Sequence, residues 1–158
     1  MAKIFAKQRL SASQLRMVAE RRYGDAAYLE QSGENARANG VFYLAGFVIE
    51  CLLKARLLEQ YPSVAKLAAP EALSASDRVV WMLINRSHDL DEMLGYMPDL
   101  ERKLVAADRI EGKGLLRKLK SICAEWSIFA RYSPRSETMR AASGFLSDVK
   151  ELRPWLKP

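Results

Sequence analysis

The sequence predicts an all-α fold, an antiparallel helical bundle forming one domain over residues 1–158, with four long helices plus short ones. Three observations predict it. Apolar residues recur at spacings of three and four in block after block, the period of a helix with one buried face. Strand signals are nearly absent, with no sustained period-two alternation and no Asn-Gly or Asp-Gly hairpin. Finally, 158 residues with 49% hydrophobic and 28% charged side chains make one core of ordinary size, which needs no metal or disulfide and excludes wholesale disorder.

The helices follow in order. Ser11 and Gln14 have the spacing of a capping box, opening a helix from about Ser11 to Ser32. Leu15, Val18, Ala19, Ala26 and Leu29 share its inner face, Arg22 is the polar exception, and Gly33 is the stop. From about Glu34 to Tyr61 runs the most hydrophobic block. Val41, Leu44, Val48, Cys51, Ala55 and Leu58 form one stripe, and Phe42, Ala45, Ile49 and Leu53 widen it to most of the circumference. A helix apolar nearly all round belongs at the centre of a bundle. Pro62 ends it, the stretch near Val64–Leu67 admits either a short helix or a loop, and Pro70 breaks the chain.

Ser76 or Asp77 is the expected cap of a helix carrying Val79, Val80, Leu83 and Ile84. Ser87-His88-Asp89-Leu90 opens a short helix through Met93, Leu94 and Tyr96, and Pro98 starts a turn or helix through Leu104. Glu111-Gly112-Lys113-Gly114 lacks the spacing of a phosphate loop and reads as a helix boundary. Leu115, Leu119, Ile122, Trp126 and Phe129 form the next stripe, interrupted by Arg131-Tyr132-Ser133-Pro134-Arg135. Ser136 is the expected cap of the last helix, with Ala142, Phe145, Leu146, Val149 and Leu152 on its face, and Pro154 and Trp155 close the chain. In all, five to seven helices are expected.

Lys and Arg total 25 against 19 Asp and Glu, a net charge of +6. That excess suits an anionic partner, and equally serves solubility. Cys51 and Cys123 sit in apolar helical stretches and read as small core residues. One histidine and two separated cysteines make no closed zinc site, so no metal or cofactor is expected. The N-terminal residues carry no secretory pattern, and the longest apolar run, Val41 to Ile49, is far short of the ~18 residues that span a bilayer. No membrane contact is expected, and the expected location is cytoplasmic.

Chemistry has three candidate places. Glu50 and Lys54 interrupt the most buried helix at a spacing that lets them pair. They read either as a boundary pair, with Lys54 stretching to water, or as a polar feature facing a cleft or a second copy. His88 is the only imidazole, so any histidine acid–base chemistry must use it; a hydrogen bond at a helix start is its ordinary role. The run Ser87-His88-Asp89 is too short for three side chains to converge as a triad. The third place is Arg131-Tyr132-Ser133-Pro134-Arg135 with Arg140 nearby. Guanidiniums suit phosphate and a phenol suits a base, which makes Arg131, Tyr132, Arg135 and Arg140 the candidate polynucleotide-binding residues. A solvated loop is the alternative. Arg117, Lys118 and Lys120 either extend this basic surface or form an ordinary solvated face.

The segment Val41-Phe42-Tyr43-Leu44-Ala45-Gly46-Phe47-Val48-Ile49-Glu50-Cys51-Leu52-Leu53-Lys54-Ala55 resembles the second helix of HEPN-domain proteins. Ser87-His88-Asp89-Leu90 with Leu94 is similar to the family's following segment, and Trp126 through Tyr132, then a helix ending near Leu156, to its C-terminal half. The resemblance spans roughly residues 13 to 156 and implies a HEPN-type bundle, commonly a homodimer. Many members are metal-independent RNases, including toxins of toxin-antitoxin systems paired with nucleotidyltransferase-like proteins. Their sites place an arginine a few residues before a histidine. Arg131 matches that arginine, but Arg135, Ser136 and Glu137 stand where the histidine is due, and none follows His88. The expectation is a binding or regulatory module for RNA, a nucleotide or a protein partner, without standard RNase activity. The alternative is an RNase toxin with a rearranged site, its catalytic candidates Arg131 and His88.

Overall fold

A computed structural model describes residues 9–66 and 70–157, and of Arg131 the backbone alone. Eight α-helices follow one another: α1 (Ala12–Glu30), α2 (Ala38–Gln60), α3 (Pro62–Ala65), α4 (Ala75–Arg86), α5 (Leu90–Gly95), α6 (Pro98–Glu111), α7 (Leu115–Glu125) and α8 (Met139–Leu156). Three single turns of 3-10 helix lie between them, at Asn35–Arg37, Pro70–Ala72 and Ile128–Tyr132. Among the described residues there is no strand. The count exceeds the five to seven expected.

Helix α1 begins as its first residues require. Ser11 N–H donates to Gln14 Oε1 at 2.8 Å and Gln14 N–H to Ser11 Oγ at 3.2 Å, so two amides that a helix start leaves free are satisfied. Gly33, at φ +67°, turns the chain out of it.

Helix α2 is the axis of the bundle. Of its 23 residues 14 are buried, and it packs against α1, α3, α4, α5, α8 and the last 3-10 turn. Phe42 meets Phe145 of α8 with ring centroids 5.1 Å apart. At Gly46 the absence of a side chain is a packing requirement, because a Cβ there would lie 2.0 Å from the Trp126 indole. The buried tryptophan thus lies directly on the α2 backbone. It anchors the chain where it leaves α7 and enters the Ile128–Tyr132 turn.

Several boundaries differ from expectation, each for a local reason. Helix α3 ends at Ala65, and Leu67 of the Val64–Leu67 stretch lies outside the described residues. Ser74, not Ser76 or Asp77, caps α4, its Oγ accepting from Asp77 N–H at 3.1 Å. Helix α6 runs past Leu104 to Glu111, and its Asp108 carboxylate caps the next helix. It accepts from Leu115 N–H at 2.6 Å and Leu116 N–H at 3.0 Å, a role that Gly114, the residue at the cap, cannot fill.

The stripe read through Phe129 is cut short. Trp126 turns extended after Glu125, and Ser127 Oγ accepts from Phe129 N–H at 3.2 Å, starting a new turn that leaves Phe129 71% exposed. Thr138, not Ser136, caps α8, accepting from Ala141 N–H at 3.2 Å. Pro154 lies inside the last turn of α8, where burial of Leu152 and Leu156 carries the helix past it. Among the described residues no helix is long and apolar enough to cross a membrane.

Candidate functional site

The most polar place in the interior is built by α2 and by the joint between α4 and α5. Glu50 and Lys54 stand one turn apart on the buried axis, so neither reaches bulk water without help. Glu50 is 2% exposed and Lys54 8%. Lys54 Nζ donates to Glu50 Oε1 at 2.7 Å and to the Ser87 carbonyl at 2.9 Å. His88 closes the group, its Nδ1 lying 2.9 Å from Glu50 Oε1 and 3.1 Å from Oε2. A carboxylate only accepts, so the Nδ1 hydrogen is the donor, and Nε2 is left as the nitrogen able to take or give a proton.

The boundary-pair reading of Glu50 and Lys54 therefore fails. Lys54 does not stretch to water; it fastens the α4–α5 joint to α2. His88 forms the expected hydrogen bond, but its partner lies 38 residues earlier on the axis. Capping of α5 falls to Asp89, whose carboxylate accepts from Glu92 N–H at 2.9 Å. Removing Glu50 or Lys54 alone would strand the other's buried charge at a cost of roughly 3–5 kcal/mol, although a good apolar replacement for a whole buried pair is often no worse.

His88 is a shared wall between two cavities. One, about 400 Å³, has Glu50, Lys54 and Asn85 among its polar lining and Phe47, Trp81 and Ile84 among its apolar lining. The other, about 700 Å³, is open and brings Arg86 and His88 together with Ser127, Ile128 and Phe129. The histidine and the beginning of the arginine-bearing turn thus face one space, although 39 positions separate His88 from Ser127.

The Arg131–Arg135 segment is held from α2. Asn39 Nδ2 donates to the Arg135 carbonyl at 2.7 Å, and Asn39 Oδ1 accepts from Glu137 N–H at 3.1 Å. Asn35 Oδ1 accepts from Met139 N–H at 2.8 Å at the start of α8. Arg135 lines a third cavity of about 420 Å³ with Phe42, Trp126 and Phe145. Tyr132 is 68% exposed, and Arg135 and Arg140 are exposed. The side chain of Arg131 lies outside the described residues; its backbone is in the Ile128–Tyr132 turn.

The structure thus joins Glu50, Lys54 and His88 into one cluster and sets Tyr132, Arg135 and Arg140 on the outside. Lys118 does not extend a basic face, being tied to Asp148 at 3.2 Å and Glu151 at 2.6 Å, and Lys120 lies 3.2 Å from Glu101. Asn35, Asn39 and Trp126 are the positioning residues that spacing alone did not reveal. Their one signal is two asparagines, a poor interior helix residue, at the start of the most apolar helix.

Both thiols are held neutral. Burial pushes Cys51 and Cys123 up to about 12, with the charge of Glu50 adding at Cys51 and those of Asp91 and Asp89 at Cys123. Neither serves as a thiolate nucleophile in this state. Among the described residues no three His, Cys, Asp or Glu side chains gather in a way that holds a metal ion. Comparison with family models, curated proteins and solved structures finds no match for the chain.

Proposed function

We propose that the chain is a HEPN-like helical module that binds single-stranded RNA on the face formed by the Ile128–Tyr132 turn, Arg135 and Arg140, and acts as a binding or regulatory part rather than as a standard RNase. The observation that supports it best is the exposure of Phe129 and Tyr132, 71% and 68%, on a turn bordered by arginines. Unstacked bases lie on aromatic faces, and guanidiniums engage the neighbouring phosphates. A net charge of +6 favours the approach of such a strand. Asn39 and Asn35 hold the backbone at Arg135, Glu137 and Met139, just after the turn.

Fluorescence anisotropy with a labelled single-stranded RNA, repeated over a range of salt, tests this reading. Tyr132→Ala with Arg135→Ala weakens binding about tenfold or more and flattens the salt dependence. Unchanged affinity and slope would remove the turn from the binding face. A homodimer and a nucleotidyltransferase-like partner belong to the same proposal through the HEPN resemblance. Size-exclusion chromatography with light scattering and co-purification test them. A nucleotide in place of RNA is distinguished by competition in the anisotropy assay.

A second reading, a metal-independent RNase toxin with a rearranged site, has its own support in the Glu50–His88 bond. A buried carboxylate on Nδ1 orients an imidazole for proton transfer at Nε2, and His88 faces the same cavity as Ile128 and Phe129. In that reading His88 takes the proton from an RNA 2′-hydroxyl and Arg131 steadies the phosphate charge. Cleavage of RNA in EDTA by the wild type, lost in His88→Ala and Arg131→Ala, supports it; intact RNA removes it.

A further inference from the structure

The 400 Å³ cavity behind His88 is not used by either reading above. Its size falls within the ~300–1,000 Å³ of small-molecule sites. Its walls are largely apolar, with Leu15 and Val18 from α1, Phe47 from α2 and Trp81 from α4. Its polar groups converge in one place, at Glu50 and Lys54, themselves 2% and 8% exposed. An apolar chamber with one buried polar end is the arrangement that binds a small amphipathic molecule. Stability alone does not call for it, since buried ion pairs are often replaceable by apolar residues at no loss.

The charges select the head group. Among the described residues the buried ions of the lining are one ammonium, Lys54, and one carboxylate, Glu50. Glu50 already accepts from both Lys54 and His88. The Lys54 ammonium has three N–H groups, of which Glu50 and the Ser87 carbonyl take two among the described residues. What the chamber still offers at its polar end is a charged donor, and the complement is an acceptor carrying negative charge. The geometry points to a binding site for a small monocarboxylate with an apolar body, its carboxylate on Lys54 and its hydrocarbon between Val18, Phe47 and Trp81.

Octanoate, octylamine and octanol, matched in length, serve as probes in calorimetric titrations and thermal melts of the full chain. Octanoate binds saturably at one site per chain, raises the melting temperature and changes the tryptophan emission through Trp81, while octylamine does none of these. Lys54→Met weakens octanoate about tenfold or more, the scale of one charge-assisted hydrogen bond, and leaves octanol unaffected. Because that variant also strands Glu50, Val18→Phe carries the test independently: it fills the chamber from α1, leaves the ion pair whole and abolishes octanoate binding. Octylamine binding as well as octanoate overturns the assignment. So does the absence of any saturable octanoate signal, or a Val18→Phe protein that binds octanoate like the wild type.

Discussion

Two regions reverse the usual distribution of residues, in opposite senses. Around Glu50 charged groups are inside, and each finds a partner on another turn or helix. Around Phe129 aromatic groups are outside, on a turn that carries an arginine and is followed by a segment whose backbone Asn39 holds at Arg135 and Glu137. The buried pair is bound up with stability, because Glu50 and Lys54 each lose their opposite charge when the other is removed. Ile128 packs against the core, whereas Phe129 and Tyr132 of the same turn stand exposed and contribute little to it. A buried polar group and an exposed large apolar one are the informative exceptions to the hydrophobic rule, and here they differ in what their removal should do.

The largest effect is expected in the interior. Glu50→Ala leaves Lys54 buried without its carboxylate and should lower unfolding stability by about 3–5 kcal/mol, read from the denaturant midpoint at unchanged slope. A loss below about 1 kcal/mol would mean that water reaches the cluster and that the contrast with the turn is false.

Gly46→Ala forces the Trp126 indole off the α2 backbone. It should cost about 1–3 kcal/mol and disturb the turn that follows Trp126, visible as altered indole fluorescence. Asn39→Ala removes both clamps on the Arg135–Glu137 backbone. About 1 kcal/mol of stability should go, together with part of any RNA affinity, although no cation has been deleted. Phe129→Ser should stay within about 0.5 kcal/mol of wild type in stability, and a larger loss would show that the exposed ring is structural after all.

The thiols give the smallest signal and sharpen the comparison from within. Their neutral form is favoured in the folded chain, so raising the pH to about 8.5, where a free cysteine is half ionised, should not open Cys51 or Cys123 to iodoacetamide. Both should alkylate at once in denaturant. Rapid native-state reaction at Cys51 would show that its cavity opens.

The fold was legible in the sequence because its main determinants are local. Ser11 with Gln14, Gly33, and the dense apolar residues of α2 each announce their element within a few positions. Boundaries slipped where a more distant or an earlier group took the role. Ser74 captured the start of α4, Asp108 caps α7 from the preceding helix, and Ser127 began a turn that lifted Phe129 off its stripe. At the candidate site Glu50, Lys54 and His88 could each be named from residue type and spacing. Their union could not, because it depends on bringing α2 against the α4–α5 joint, 38 residues away. Asn39 was missed for the same reason: its partners are the backbone of Arg135 and Glu137, which no side-chain pattern reveals.

The order in which the walls of α2 are made has a consequence during synthesis. The central helix is complete by Gln60, but α8, which covers Phe42 with Phe145, begins only at Met139. A nascent chain on the ribosome therefore carries its most apolar segment half-clad while more than half of the described residues are still to be translated. Such a chain is exposed to aggregation and to capture by chaperones until its last helix emerges, and its yield in cells should depend on how fast that helix is delivered.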